Sequence, residues 1–413
     1  MKKKVVVTGM GVISPIGNSI EEYWQSLLKG KSGVDYITKF DAEAFDTKIA
    51  AEVKNFNATD YLDRKEARRM DPFAQYGIAA AQSAIEDSGI NLEKENLDRI
   101  GVILGTGIGG MQTYHYNTAN LIHHGPKRIS PFFIPMMIPD IAPGQISMRF
   151  GLKGPNYTTV SACASSTHAI GNALRLIRYG EADVMVTGGT EATVTQICIG
   201  GFNSMRALST RNDFPQKASR PFDADRDGFV VGEGSGILIL ESEQHALKRG
   251  ARIYAELAGA GATADAYHIT APRPDGDGAI RVMKIAIEDA GLTPDDVDYI
   301  NAHGTSTPHN DRTETIAIKS LFGERVKEIA ISSTKSMIGH LLGASGSLEF
   351  IATVLTIMNN KIHPTINYKT PDPDCDLNYT PNKSIQKSVN VAISNSFGFG
   401  GHNGCVVAKK YQS

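Results

Sequence analysis

The chain is 413 residues long with 42 basic and 44 acidic side chains, a near balance that gives no bulk field to draw it to nucleic acid or to an anionic membrane. No stretch approaches the roughly 20 uninterrupted apolar residues of a bilayer span. The four cysteines, Cys163, Cys198, Cys375 and Cys405, stand far apart with no C-x-x-C, which argues against a disulfide framework or a zinc site and leads to the expectation of a soluble cytoplasmic enzyme (or one of the stroma, in an organism with plastids).

Taken in order, short β-rich runs alternate with helical patterns. The start, Met1-Lys2-Lys3-Lys4, carries the charge of a secretory leader, but Val5-Val6-Val7 ends at Thr8-Gly9 and reads as a first strand over residues 4–8. An amphipathic helix over 74–86 leads to a strand over 100–104 that ends in Gly105-Thr106-Gly107-Ile108-Gly109-Gly110. That run matches G-x-G-x-x-G, yet the dinucleotide fingerprint also needs a helix opening at once and an acidic residue about twenty positions on. Residues 126–131 hold no Asp or Glu, so nucleotide binding is set aside. Residues 111–139 carry Pro131, Pro135 and Pro139 among Phe132, Phe133, Ile134, Met136 and Met137. They read as a long irregular excursion whose apolar side chains need a partner such as a second subunit.

Further strands are expected over 183–187, 236–240, 297–300, 329–333 and 391–394, with a helix over 279–290. Asp223-Ala224-Asp225-Arg226-Asp227-Gly228 opens like an EF-hand loop, but the twelfth position, which must supply a carboxylate, is Gly234; a polar turn is expected. His123, His124 and His363 lack partners at ligand spacing and read as surface or packing residues. The alternation implies α/β layers around buried sheets. A faint repeat runs through it, because the strand, turn and helix around Cys163 have a counterpart from residue 329 through His340 to Met358, and residues 101–107 echo 299–305. Two halves are expected, residues 1–250 and 251–413, joined near 242–252.

Three residues sit in settings that suggest chemistry. Cys163, in Val160-Ser161-Ala162-Cys163-Ala164-Ser165, follows an extended run and precedes a helical stretch with Ala169, Ile170, Ala173, Leu174 and Ile177 on one face. A thiol at a helix start meets free N–H groups and the positive end of the helix dipole, and both favour thiolate. His303, in Asn301-Ala302-His303-Gly304-Thr305, follows a strand and so lies at the carboxyl edge of a sheet, where α/β sites gather. His340, in Lys335-Ser336-Met337-Ile338-Gly339-His340-Leu341-Leu342-Gly343-Ala344, lies just before a helix start, which disfavours imidazolium and leaves a neutral ring able to donate one N–H. One thiol and two neutral donors fit acyl transfer followed by stabilisation of a thioester enolate. A cysteine protease needs one histidine as base and an Asn or Asp to orient it.

These motifs, together with Ser394-Asn395-Ser396-Phe397-Gly398-Phe399-Gly400-Gly401, resemble the β-ketoacyl-[acyl-carrier-protein] synthases over residues 5–410, and the synthase II branch in particular. The resemblance implies a thiolase-like α/β fold, two duplicated halves in five α-β-α-β-α layers, assembled as a homodimer, with no metal and no cofactor in the chemistry. It implies that Cys163 takes an acyl chain from the 4'-phosphopantetheine arm of acyl-carrier protein. Malonyl-carrier protein then loses CO2 and attacks, giving 3-oxoacyl-carrier protein in fatty-acid elongation. By motif match, His303 and His340 hydrogen-bond the malonyl thioester oxygen, supported by Lys335 and Glu349, and the N–H groups of Cys163 and Phe399 form the oxyanion hole. Thr270, Thr305 and Thr307 would hold pantetheine, Ile108 would line the acyl pocket, Phe133 would reach across the dimer, and Phe399 would gate the cavity.

Lys65, Arg68, Arg69 and Arg206 would dock the acidic carrier. The region of Asn301, Glu349 and Asn395 could hold a structural monovalent cation. His309 departs from the small or apolar residue usual after Thr307-Pro308. Cys405 faintly suggests the second cysteine of a degradative thiolase, which stays an alternative beside a type II polyketide ketosynthase.

Overall fold

The computed structural model describes residues 3–412. The first half contributes strands β1 (Val5–Ile13), β2 (Ile100–Gly105), β3 (Asn156–Thr159), β4 (Val184–Glu191) and β5 (Gly234–Ser242). The second contributes β6 (Ala255–Ala264), β7 (Tyr299–Asn301), β8 (Ala330–Ser332), β9 (Val391–Gly398) and β10 (His402–Lys409). They run in the order β8-β7-β9-β10-β6-β1-β5-β4-β2-β3. The halves join where Val6 and Val7 of β1 lie antiparallel to Glu256 and Ala255 of β6. Counted outward from that junction, each half has its strands in the order first, fifth, fourth, second, third. In each, the inner pairings are antiparallel and the two outer ones parallel. The faint repeat in the sequence is therefore a duplicated topology.

The helices used below are α1 (Pro72–Ser88), α2 (Met111–His124), α3 (Ser165–Arg178), α4 (Asp277–Asp289), α5 (Pro308–Phe322) and α6 (Ser345–Asn359). Asp71 caps α1 by accepting the Phe73 N–H, Pro72 opens it and Gly89 ends it in the left-handed region, the start and stop chemistry that the helix termini require. α1 packs on β1, β5 and β4 from outside; α3 and α6 pack on each other between the two halves of the sheet; α4 covers β6 and β10, with α5 against α4. These are the five layers expected from the resemblance.

The apolar residues sort by strand alternation. Ile100, Val102 and Leu104 of β2 join the outer core with α1, and Ile103 the central one. Ile237 and Ile239 of β5 likewise face outward while Leu238 and Leu240 face inward. In β10, Cys405 and Val407 join the outer core of the second half, and Val406 and Ala408 the central core. α6 touches apolar neighbours all round. Together with the 3-10 turn before it, the run Leu342–Asn359 is long and apolar enough to cross a membrane, yet 89% of it is buried inside the fold, as befits the core helix of a layered protein.

Residues 111–139 correct the sequence reading, since they are largely helical. α2 is followed by a 3-10 turn over Pro126–Arg128 and a short helix over Phe133–Met137. The prolines do not oppose this. Pro131 precedes the short helix, Pro139 follows it, and Pro135 lies in its first turn, where an N–H would have no partner in the helix.

Candidate active site

Both halves build the same turn before their central helix. Ala162 has φ 51° and Leu342 φ 45°, left-handed backbone that costs a non-glycine residue about 1–3 kcal/mol and is often found at functional sites. Ser165 Oγ accepts the Ser161 N–H at 2.9 Å, and Ser345 Oγ accepts the Leu341 N–H at 2.9 Å. Cys163 stands where the second half has Gly343. A Cβ at Gly343 would lie 2.2 Å from the backbone nitrogen of Gly107, so the second turn has no room for a side chain. We expect Gly343→Ala to lower stability by about 3 kcal/mol, read from the denaturant midpoint; an unchanged midpoint would refute this packing.

The structure brings Cys163, His303 and His340 together. His340 Nε2 lies 3.0 Å from Cys163 Sγ. Its Nδ1 accepts the Leu342 N–H at 3.2 Å, and a ring nitrogen that accepts is unprotonated, so Nε2 carries the hydrogen. For His303, Lys335 Nζ lies 3.3 Å from Nδ1 and donates to its carbonyl at 2.8 Å; a lysine paired with Glu349 can only donate, and again Nε2–H is left. The two rings stand nearly perpendicular with centroids 5.4 Å apart. One nitrogen from each ring and the sulfur lie within 4.8 Å of one another. With hydrogens on both Nε2 atoms, these rings present donors to the cavity rather than lone pairs to a metal.

Burial holds both imidazoles well below the usual histidine range, and the Lys335 charge adds to the effect. The neutral rings expected from the sequence are present, with burial as the leading cause. The thiol differs from expectation. Burial pushes Cys163 up to about 12, against the opposing pull of Lys335 and of the Phe399 N–H. Desolvation of the sulfur thus opposes the thiolate that a helix start favours.

Buried carboxylates fix the surrounding loops. Glu191, at the end of β4, accepts from Gly107 N at 2.6 Å, Ile108 N at 3.3 Å, Gly343 N at 2.9 Å and Thr106 Oγ1 at 2.9 Å. The G-x-G-x-x-G run does open a helix at once, at Met111, but its N–H cradle is filled by the protein's own carboxylate. Glu314 accepts the His303 and Gly304 N–H groups at 2.8 Å each. Burial raises both acids to about 7. Neither was singled out from the sequence; the available signal was a charge closing an apolar strand in one case and a carboxylate on the inward face of an amphipathic helix in the other. The EF-hand-like run is the polar turn expected, with Asp223 accepting from the backbone of Asp225, Lys369 and Thr370.

A cavity of about 460 Å³ opens onto the three groups. Ile108, Phe202, Phe229 and Leu342 give it apolar walls, while Thr270, Thr305, Thr307, Phe399 and Arg206 also line it, as does His309. Thr305 and Thr307 hydroxyls lie 2.9 Å apart. The Phe399 N–H points at the Cys163 sulfur, and Gly400 and Gly401 beyond it have φ 81° and 71°, a turn that suits glycine. Other expected site residues lie elsewhere. Phe133 rests against Tyr114 with centroids 6.4 Å apart and does not line the cavity. Lys65, Arg68 and Arg69 are exposed and away from its walls, with the Arg69 guanidinium over the Phe132 ring at 4.5 Å.

Glu349 Oε2, Ser394 Oγ and Asn395 Oδ1 are buried without hydrogen-bond partners. Hard oxygens left unsatisfied in this way suit a monovalent cation, and Asn301 adjoins them through its bond to the Glu349 carbonyl at 3.0 Å. Cys405 is buried in the outer core of the second half and does not line the cavity.

Fold and cavity together define a thiolase-like enzyme with a cysteine and two histidines at one pocket. The comparisons specify the family. Residues 2–246 match the model of the beta-ketoacyl synthase N-terminal domain and residues 254–369 that of the C-terminal domain, so the chain belongs to the beta-ketoacyl synthase family. It is 53% identical over 411 residues to a Staphylococcus aureus protein named 3-oxoacyl-[acyl-carrier-protein] synthase 2, covering 100% of this chain and 99% of that one. A Synechocystis protein of the same name is 56% identical over 411 residues with the same coverage. Among solved structures, an ishigamide ketosynthase/chain length factor superposes with a TM-score of 0.94 at 36% identity, covering all of both chains. A type II polyketide ketosynthase, solved with its acyl-carrier protein and a bound hexaketide, gives 0.92 at 36% identity over all of both chains.

Proposed function

We propose that the chain elongates fatty acids by decarboxylative condensation, and the observation that carries this is the pair of neutral Nε2–H donors beside the Cys163 sulfur. In the first half-reaction Cys163 attacks the thioester of acyl-carrier protein. The acyl group passes to Sγ and the thiol proton ends on the departing carrier sulfur, so no thiolate need persist at rest. Malonyl-carrier protein then binds, its thioester oxygen accepts from His303 and His340, and CO2 leaves to give an enolate that those donors stabilise. The enolate carbon attacks the acyl-cysteine. The oxyanion so formed faces the Cys163 and Phe399 N–H groups, and collapse expels the cysteine sulfur, which regains a proton, with release of 3-oxoacyl-carrier protein. The half ending at 250 supplies the nucleophile and the half from 251 supplies the histidines, Lys335 and Glu349.

Thr270, Thr305 and Thr307 present hydroxyls along the cavity for the polar pantetheine arm, Ile108 offers apolar surface to the acyl chain, and Phe399 stands between them as a gate. Arg206 lines the cavity, and with Lys65, Arg68 and Arg69 it would meet an acidic carrier protein. Homodimer formation is supported by β3, an edge strand whose neighbourhood exposes Tyr157, Val160 and Met148, as well as Ile134; an unpaired edge of this kind invites a second copy. In such a dimer Phe133 would lie near the boundary. The proposed setting is the cytoplasm.

Purified protein given acyl- and malonyl-carrier protein should release CO2 and a 3-oxoacyl product, detected by mass. CoA-dependent cleavage of 3-oxoacyl substrates would instead indicate a thiolase, a reading that the core position of Cys405 disfavours. A polyketide role has the structural neighbours at 36% identity against 53–56% for the 3-oxoacyl synthase relatives, and product length separates the two.

The pH dependence has a definite sign. Both imidazoles are held well below 6.5, and protonating either would displace Lys335 or the Leu342 N–H from Nδ1. Malonyl decarboxylation should therefore stay within about twofold from pH 8 down to 5.5, and an acid limb centred near 6.5 would contradict the neutral pair.

A further inference from the structure

We propose that Ser161 and His168 form a positioning pair for the Cys163 thiol, acting in the acyl-transfer step and built only into the half of the fold that carries the nucleophile. The inference rests on Cys163 being the acyl acceptor.

The geometry is closed at both ends. Ser161 Oγ lies 2.7 Å from His168 Nδ1, and His168 Nε2 lies 3.1 Å from the Asn403 carbonyl. That carbonyl can only accept, so Nε2 carries the hydrogen and Nδ1 takes the Ser161 hydroxyl proton as a hydrogen bond. Ser161 has φ −147° and ψ 47° and is followed by the left-handed Ala162, so its side chain clamps the first residue of the turn that presents the sulfur. The anchor at the other end is firm. Asn403 is buried in β10, and its Nδ2 donates to Asp265 Oδ1 at 2.7 Å; Asp265 in turn donates its N–H to the Gly401 carbonyl at 2.9 Å, in the turn that carries Phe399. Gly404 leaves the room, since a Cβ there would come within 3.3 Å of the His168 ring. One chain of bonds thus ties the nucleophile turn to the wall bearing the second oxyanion donor.

The duplication supplies the control. Ala162 and Leu342 correspond, an offset of 180 residues, and both have positive φ. The serine bond to the turn is preserved in both halves at 2.9 Å. At the same offset Ser161 and His168 become Leu341 and Leu348, both fully buried in the central core. The turn and its helix therefore form without a Ser–His bridge, and the bridge accompanies the thiol rather than the fold. Burial keeps the His168 ring below the usual histidine range, consistent with a neutral strut.

The test compares Ser161→Ala, His168→Leu, which copies the other half, and Ser161→Thr, which keeps the hydroxyl. Acylation of Cys163 by acyl-carrier protein is followed by intact mass. Malonyl decarboxylation is measured with each change placed on Cys163→Gln. We expect acylation at least tenfold slower in Ser161→Ala and His168→Leu, recovery to within threefold in Ser161→Thr, and decarboxylation within twofold of Cys163→Gln alone. Wild-type acylation rates in both disrupting variants would overturn the proposal. So would a parallel loss of acylation and decarboxylation, which marks general damage, or a threonine variant as slow as alanine. Alkylation of Cys163 by iodoacetamide needs no carrier protein. A tenfold change there in the disrupting variants would uphold positioning even if wild-type protein accepted no acyl group from a carrier, an outcome that would sink only the functional reading; unchanged alkylation together with unchanged acylation defeats the positioning role.

Discussion

Cys163→Gln should abolish condensation and leave malonyl-carrier decarboxylation running at or above the wild-type rate. The two half-reactions use different atoms. Acyl transfer needs the sulfur, and glutamine offers no nucleophile, so 3-oxoacyl product should fall by about 10⁶-fold, the scale of losing a triad nucleophile. Loss of CO2 needs only the donors on His303 and His340, whose hydrogens are fixed from the far side of each ring by Lys335 and Leu342. Removing the sulfur leaves those contacts in place. Labelled malonyl-carrier protein reports CO2 and mass spectrometry reports product. A folded Cys163→Gln protein that does neither would mean that the sulfur, and not the imidazole pair, holds the malonyl thioester.

Lys335→Ala should fail for two separable reasons. Lys335 and Glu349 form an ion pair with side chains about 1% and 0% exposed. Removing one partner leaves an uncompensated buried charge, at about 3–5 kcal/mol. The same change frees Nδ1 of His303, whose proton can then sit on either nitrogen, and decarboxylation should drop about 10²-fold, the low end for losing one donor to a developing oxyanion. Lys335→Met with Glu349→Gln divides the effects. It should regain much of the lost stability, measured by denaturant midpoint, and still decarboxylate slowly. A double variant that recovered both would assign Lys335 to the scaffold alone.

The sequence reading of the site was close where the signal was local and failed where it depended on packing. Cys163 sits at a strand-to-helix junction, His303 at a strand-to-turn junction and His340 just before the turn that opens α6, and all three line one cavity. The protonation of the thiol could not be read, because a helix start argues one way and depth below the surface the other. Strands β6 and β10 were not anticipated as strands. β6 reads Ala-Glu-Leu-Ala-Gly-Ala-Gly-Ala-Thr-Ala, poor in the β-branched residues that strands favour. Its glycines answer a neighbour instead, since a Cβ at Gly259 or Gly261 would come within 2.3 Å or 2.4 Å of carbonyls in α4. The segment 111–139 reads as irregular for the opposite reason, because its prolines stand at the margins or in the first turn of a short helix.

The central helix α6 has a consequence for how the chain is made. It leaves the ribosome before β9 and β10, which form part of its seat. For the interval in which some fifty further residues emerge, the nascent polypeptide displays a segment with the hydropathy of a membrane anchor while two strands of its seat are still missing. Biosynthesis therefore has a window of vulnerability set by strand order, and a chain interrupted within that window should be a strong client for chaperones.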